Sequence, residues 1–77
     1  MEKVRFDYSK LRGRIREKVG TQKKFAELMG ISNTSVTIKL KNKSYFDQAE
    51  IFRAVDILGI EEGSVSDYFF TEELKFS

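Results

Sequence analysis

The sequence predicts an all-α domain built from five helices. Apolar residues recur at spacings of three and four through successive stretches of the chain, the period of a helix face turned toward a core. Gly20, Gly30 and Gly59 each follow such a stretch, where a helix end needs a residue tolerant of the left-handed conformation. The chain is 77 residues long and 40% hydrophobic, which suits one small domain with a single core.

The first helix is expected from about Ser9 to Val19, with Tyr8, Leu11, Ile15 and Val19 as its inner stripe and Arg12, Arg14, Arg16 and Lys18 on the rest. Gly13 inside it costs roughly 1 kcal/mol relative to alanine and would suit the close approach of a neighbour. The second helix is expected over Gln22 to Met29. Thr21 is placed to cap it, and Phe25, Leu28 and Met29 form its apolar stripe beside a small Ala26. A third helix follows Ser32, another capping residue, and runs to Leu40 or Lys41. A fourth covers Asp47 to Leu58, buries Ile51, Ala54, Val55 and Leu58, and opens with the capping-box spacing of Asp47 and Glu50. Gly59 followed by Ile60 reads as its C-terminal cap. A short fifth helix over Val65 to Phe69 follows Ser64 as cap. At the two ends Val4, Phe6 and Tyr8 alternate, as do Leu74 and Phe76, which makes them candidates for a short strand pair.

Composition removes several classes of chemistry. With neither cysteine nor histidine, the chain has no disulfide, no thiolate metal site, and no nucleophile–base pair built on either residue. Gly-rich phosphate loops are absent. The carboxylate pairs Asp47/Glu50 and Glu61/Glu62 are explained by capping and by an exposed turn, and no calcium-loop spacing accompanies them. No enzyme activity, cofactor, metal or small-molecule substrate is expected. No apolar run approaches the ~20 residues of a bilayer span, and MEKVRFDYSK has no apolar signal region, so a cytoplasmic, nucleoid-associated protein is expected.

Charge is unevenly placed. Residues 1–46 hold twelve Lys and Arg against four Asp and Glu, a net of +8, and residues 47–77 hold two against eight, a net of −6. A polyanionic partner for the first half follows from that asymmetry.

The stretch AELMGISNTSV points to the partner. Gly30, Ile31 and Ser32 form a turn short enough to cross the second and third helices steeply, as in a helix-turn-helix. Val36 and Leu40 anchor the third helix. At about 100° per residue, Thr34, Ile38 and Lys41 then point away, with Ser35 and Thr37 on the flanks and Asn33 at the exposed first turn. Such a face is short and able to hydrogen-bond, as base edges in a major groove require. Ile38 has two open readings: contact with a thymine methyl group, or packing in the core or against a second subunit. Lys23, Lys24, Lys39, Lys41 and Lys43 surround the pair, where phosphates would lie. Gln22, at the start of the second helix, can reach a phosphate with the helix dipole behind it.

On these residues TQKKFAELMGISNTSVTIKLKNK resembles the helix-turn-helix of the lambda-repressor-like class. FDYSKLRGRIREKVGTQKKFAELMGIS with FDQAEIFRAVDILGI and YFF resembles the small Cro-like regulators of phages of Gram-positive bacteria. The resemblance runs from Phe6 to Phe70. It implies a five-helix lambda-repressor-like domain spanning 1–77. By the resemblance DNA would be read by the third helix, with Asn33, Thr34 and Ile38 toward bases, Gln22 and Ser32 at phosphates and Lys43 on the backbone beyond the helix; the outward face and its surrounding charge add Thr37 toward bases and Lys23, Ser35 and Lys41 toward phosphates. One recognition helix reads only a few base pairs, so a homodimer on a palindromic double-stranded operator is expected; the apolar Phe69, Phe70, Leu74 and Phe76 in the acidic third make residues 70–77 a candidate dimerisation tail. Two departures stand out: the apolar anchors of the third helix are four apart where that class has three, and Asn42 stands where glycine is usual. The competing expectation is a protein-binding module, such as an anti-repressor acting on another regulator without touching DNA.

Overall fold

The computed structural model describes residues 4–74. Its elements are α1 (Ser9–Val19), α2 (Gln22–Met29), α3 (Asn33–Leu40), α4 (Gln48–Leu58) and α5 (Val65–Phe69), with a single 3-10 turn over Glu62–Ser64 leading into α5. The protein is all-helical, with no strand among the described residues. α1 packs on α2, α4 and α5, and α2 packs on α3 and α4.

One stripe of each helix meets the others in a single core. Leu11, Phe25, Met29, Val36, Leu58 and Phe69 are completely enclosed, with Tyr8, Ile15, Ala26, Leu40, Phe46, Ala54 and Ile60 around them. Two expectations shift. Leu28 was assigned to the inner stripe of α2 but is 46% exposed. The buried residues Phe25, Ala26 and Met29 centre the inner face about 100° away from it at the helical pitch. Ile51 and Val55 are half-buried, not enclosed, because α4 lies at the edge of the core and keeps only Ala54 and Leu58 fully inside.

Helix ends are closed by local chemistry. Thr21 Oγ1 accepts from Lys24 N at 3.1 Å and Ser32 Oγ from Ser35 N at 3.0 Å. Asp47 and Glu50 form a reciprocal capping box at α4. Gly30 and Gly59 end α2 and α4 in the left-handed conformation. Ile31 N then donates to Ala26 O, and Ile60 N to Val55 O, both in the Schellman pattern. Two arginines finish the same ends from outside. Arg53 Nη1 donates to Met29 O at 2.6 Å, while Arg14 Nε and Nη2 donate to Leu58 O and Gly59 O at 3.0 and 3.1 Å. Each supplies N–H donors to carbonyls at a helix end that the helix itself leaves unpaired. Ser64 departs from expectation: its side chain makes no capping bond, since the 3-10 turn runs straight into α5. α1 has its start stabilised one residue earlier than its cap position. Asp7 Oδ1 accepts from Ser9 N and Oγ at 2.8 and 2.6 Å, which holds the Asp7 carboxyl below its usual range.

The terminal strand pair is reduced to one antiparallel bridge between Phe6 and Glu72, flanked by Asp7 N donating to Thr71 O and Glu73 N donating to Arg5 O, both at 2.8 Å. It does not extend because Tyr8 turns into α1, while Phe6 packs edge-on against Tyr45 and Phe70. Phe76 lies outside the described residues.

Asn42 explains its own departure from glycine. It takes the left-handed conformation at φ 64°, is 6% exposed, accepts from Phe6 N at 2.7 Å and donates from Nδ2 to Phe6 O at 2.9 Å. The side chain thus stands in for a strand neighbour of Phe6 while the backbone ends α3.

Gly13 has open space where a Cβ would sit, so no neighbouring helix approaches through it. Gly13→Ala is therefore expected to stabilise the domain by about 1 kcal/mol. A higher urea midpoint at unchanged m would report it, and a lower midpoint would mean that the site is constrained after all.

Candidate nucleic-acid interface

α3 is anchored where the sequence places it. Val36 is fully enclosed and Leu40 nearly so. Thr34, Ile38 and Lys41, about 140°, 180° and 120° from the centre of that pair at the helical pitch, are all exposed, Ile38 at 37%. Of the two readings of Ile38, core packing is therefore overturned: the side chain stands opposite the anchors, because a regular eight-residue helix with Val36 and Leu40 inward has no way to bury it.

The other polar residues are more interconnected than a row of free donors. Gln22 Nε2 lies 2.9 Å from Asn33 Oδ1, 2.7 Å from Thr37 Oγ1 and 3.4 Å from Asn33 O. One amide from the first position of α2 thus holds the first turn and middle of α3. Ser32 Oγ donates to Ser35 Oγ at 3.0 Å. Gln22, expected at a phosphate, has its amide directed at α3, and Asn33 and Thr37 meet any ligand as parts of one network. Thr34 and Ile38 remain outside it.

The cations separate into two groups. Lys23, Lys41 and Lys43 are exposed and make no ion pair among the described residues. Lys24 reaches Glu27 at 3.9 Å. Lys39 belongs to the interior instead. Its Nζ lies 2.7 Å from Glu50 Oε1, with the two side chains 15% and 11% exposed, and 5.9 Å from the centre of the Phe46 ring. It cross-links α3 to α4 and is withdrawn from the surface set. Periodicity could not show this, because the partner is eleven residues away on another helix.

Three surface features were not singled out from the sequence as sites. Arg12 and Arg16 line a cleft with Gly20, Thr21 and Gln22 above Ile15 and Leu40. Phe52 projects from α4 at 78% exposure, in shallow grooves bordered by Arg53, Asp56 and Glu61. Phe6, Tyr45 and Phe70 form an aromatic edge beside the core. In the expected dimerisation tail Phe70 and Leu74 are exposed, whereas Phe69, just before it, is core. No group of three acidic side chains that could hold a metal occurs among the described residues, and none of the described helices is long and apolar enough to cross a membrane.

A family model described as "Protein of unknown function (DUF739)" matches residues 4–72. No curated protein matches. Among solved structures, the solution structure of the modulator of repression (MOR) of the temperate bacteriophage TP901-1 from Lactococcus lactis is similar at a TM-score of 0.74 and 43% sequence identity, over 84% of this chain and 88% of that one.

Proposed function

We propose that this chain, which belongs to the DUF739 family, modulates repression in a phage by laying α3 in the major groove of double-stranded DNA, with α2 and α3 acting as a helix-turn-helix. Its relation to a phage modulator of repression supports a phage regulatory role. The observation that carries the DNA reading is the uncovered outer face of α3. Thr34 and Ile38 are exposed, as are Lys23 on α2 and Lys41 and Lys43 beyond the end of α3, while Val36 and Leu40 fix the helix behind them. Short side chains that can donate, accept or touch a methyl group suit base edges, and flanking cations suit the phosphates. One such helix reads only a few base pairs, so a dimer on a palindromic site belongs to this reading.

Two substitutions separate base reading from phosphate contact. Thr34→Ala is expected to change preference among operator variants with little loss of general affinity. Lys43→Ala is expected to weaken all duplexes alike and to lower the slope of log K against log salt by about 1. Anisotropy titrations of duplexes selected from a random pool would measure both, and the spacing of selected half-sites would report the dimer. The opposite pattern for the two variants removes α3 as reader.

A second reading has its own support. Phe52 is 78% exposed on the acidic half of the chain, beside Asp56 and Glu61. The similar phage protein is named for its effect on repression. On this reading the chain acts on a repressor protein through that apolar and acidic face. Failure to bind any duplex at low salt, together with capture of a purified phage repressor that Phe52→Ala abolishes, would replace the first reading with the second.

A further inference from the structure

We propose that Arg12 and Arg16 hold one backbone phosphate of the bound DNA in the cleft between α1 and the start of α2. The inference rests on the DNA reading of α3 and extends the interface to a helix outside the α2–α3 pair.

The arginines of this chain are otherwise all employed. Arg5 pairs with Glu73 at 3.2 Å, Arg14 with Glu17 and two carbonyls of the α4 terminus, and Arg53 with Met29 O. Arg12 and Arg16 alone have no hydrogen bond or ion pair among the described residues. They are four apart on one helix face, an arrangement of like charges that disfavours the helix unless an anion lies between them. Arg16 sits in the last turn of α1, where a cation complements the helix dipole, but Arg12 in mid-helix has no such compensation.

The place they face is built for one group. Arg12 and Arg16 form one wall, Gly20, Thr21 and Gln22 the other, and Ile15 and Leu40 the floor, with no carboxylate in the lining. Two guanidinium forks present more donors than any carboxylate could accept, and a phosphate diester offers a full charge with acceptor oxygens on two sides. Position ties the cleft to α3. Leu40, its floor, is an anchor of that helix, and Gln22, on its wall, bonds Asn33 and Thr37. With α3 in the groove, Lys41 and Lys43 follow one phosphate strand, and the Arg12–Arg16 cleft lies at the α1–α2 side to take the other.

The test is R12Q/R16Q against K10Q/K18Q, which removes the same charge from α1 outside the cleft. Both variants should stay folded, R12Q/R16Q melting no lower than wild type because a like-charge pair is relieved, and K10Q/K18Q slightly lower because the exposed Lys10–Asp67 pair is lost. R12Q/R16Q is expected to lose about tenfold or more in duplex affinity at low salt and to lower the salt slope by about 1, one phosphate contact's worth. K10Q/K18Q should lose only a few-fold. In 15N-labelled protein, duplex should shift the amides of 20–23 in the wild type and leave them unmoved in R12Q/R16Q. Equal losses in the two variants, or duplex-induced shifts of amides 20–23 as large in R12Q/R16Q as in the wild type, overturn the proposal while leaving the α3 reading intact. If wild type binds no duplex, inorganic phosphate decides. Shifts of the same amides that depend on Arg12 and Arg16 would support a phosphate cleft and sink only the DNA reading. No shift would sink both.

Discussion

Glu50→Ala is expected to destabilise the domain by about 3–5 kcal/mol, most of the stability a chain of this size commands. Three roles are lost together. The carboxylate faces Lys39 Nζ at 2.7 Å in a site where both side chains are nearly enclosed, and its removal leaves an ammonium with no counter-charge. It accepts from Asp47 N at 2.9 Å, half of the capping box that starts α4. It also links α4 to α3 across the core. Lys39→Met should be milder, because an apolar stem of similar length replaces the cation and the Asp47 N–H keeps its acceptor. The double variant K39M/E50Q should be less destabilised than the sum of its single changes, since no buried charge is then left alone. Urea midpoints for the four proteins of this cycle measure the coupling. Additive losses would mean that Lys39 and Glu50 do not act as a pair.

Asn42→Ala is expected to cost about 2–4 kcal/mol, by two mechanisms that a second substitution separates. Alanine at φ 64° strains the backbone, and loss of the amide leaves Phe6 N and O without their partners at 2.7 and 2.9 Å. Asn42→Gly removes only the bonds. It should fall between wild type and alanine, and in both variants the Phe6 amide should exchange with solvent hydrogen faster. Equal stability of Asn42→Ala and wild type would mean that this residue neither closes α3 nor ties down residues 4–8.

How much of this was legible beforehand depends on the range of the interaction. α1, α2, α3 and α5 stand where periodicity and capping residues put them, and α4 differs only in that Asp47 is its cap and not its first residue. Thr21, Ser32 and the Asp47–Glu50 box act within three residues of their own position, so the order of residue types suffices to find them. The outer face of α3 was equally legible, since two anchors four apart fix the rotation of a regular helix. Leu28 shows where that reasoning weakens: a helix of eight residues has an inner stripe too narrow to locate to better than one residue from spacing alone.

The helices, most of their ends and the outward side of α3 follow from the order of residue types alone, because all of these rest on contacts about a turn apart. Only the tertiary structure decided that Lys39 serves the core and not the surface, that Gln22 spends its amide on α3, that Asn42 holds Phe6, and that Arg12 and Arg16 stand alone over one cleft. The first three depend on a partner brought from elsewhere in the chain by packing, and the last on the cleft that packing forms between α1 and the start of α2. A lysine or arginine looks the same in sequence whether it is solvated by water or paired with a carboxylate eleven residues away.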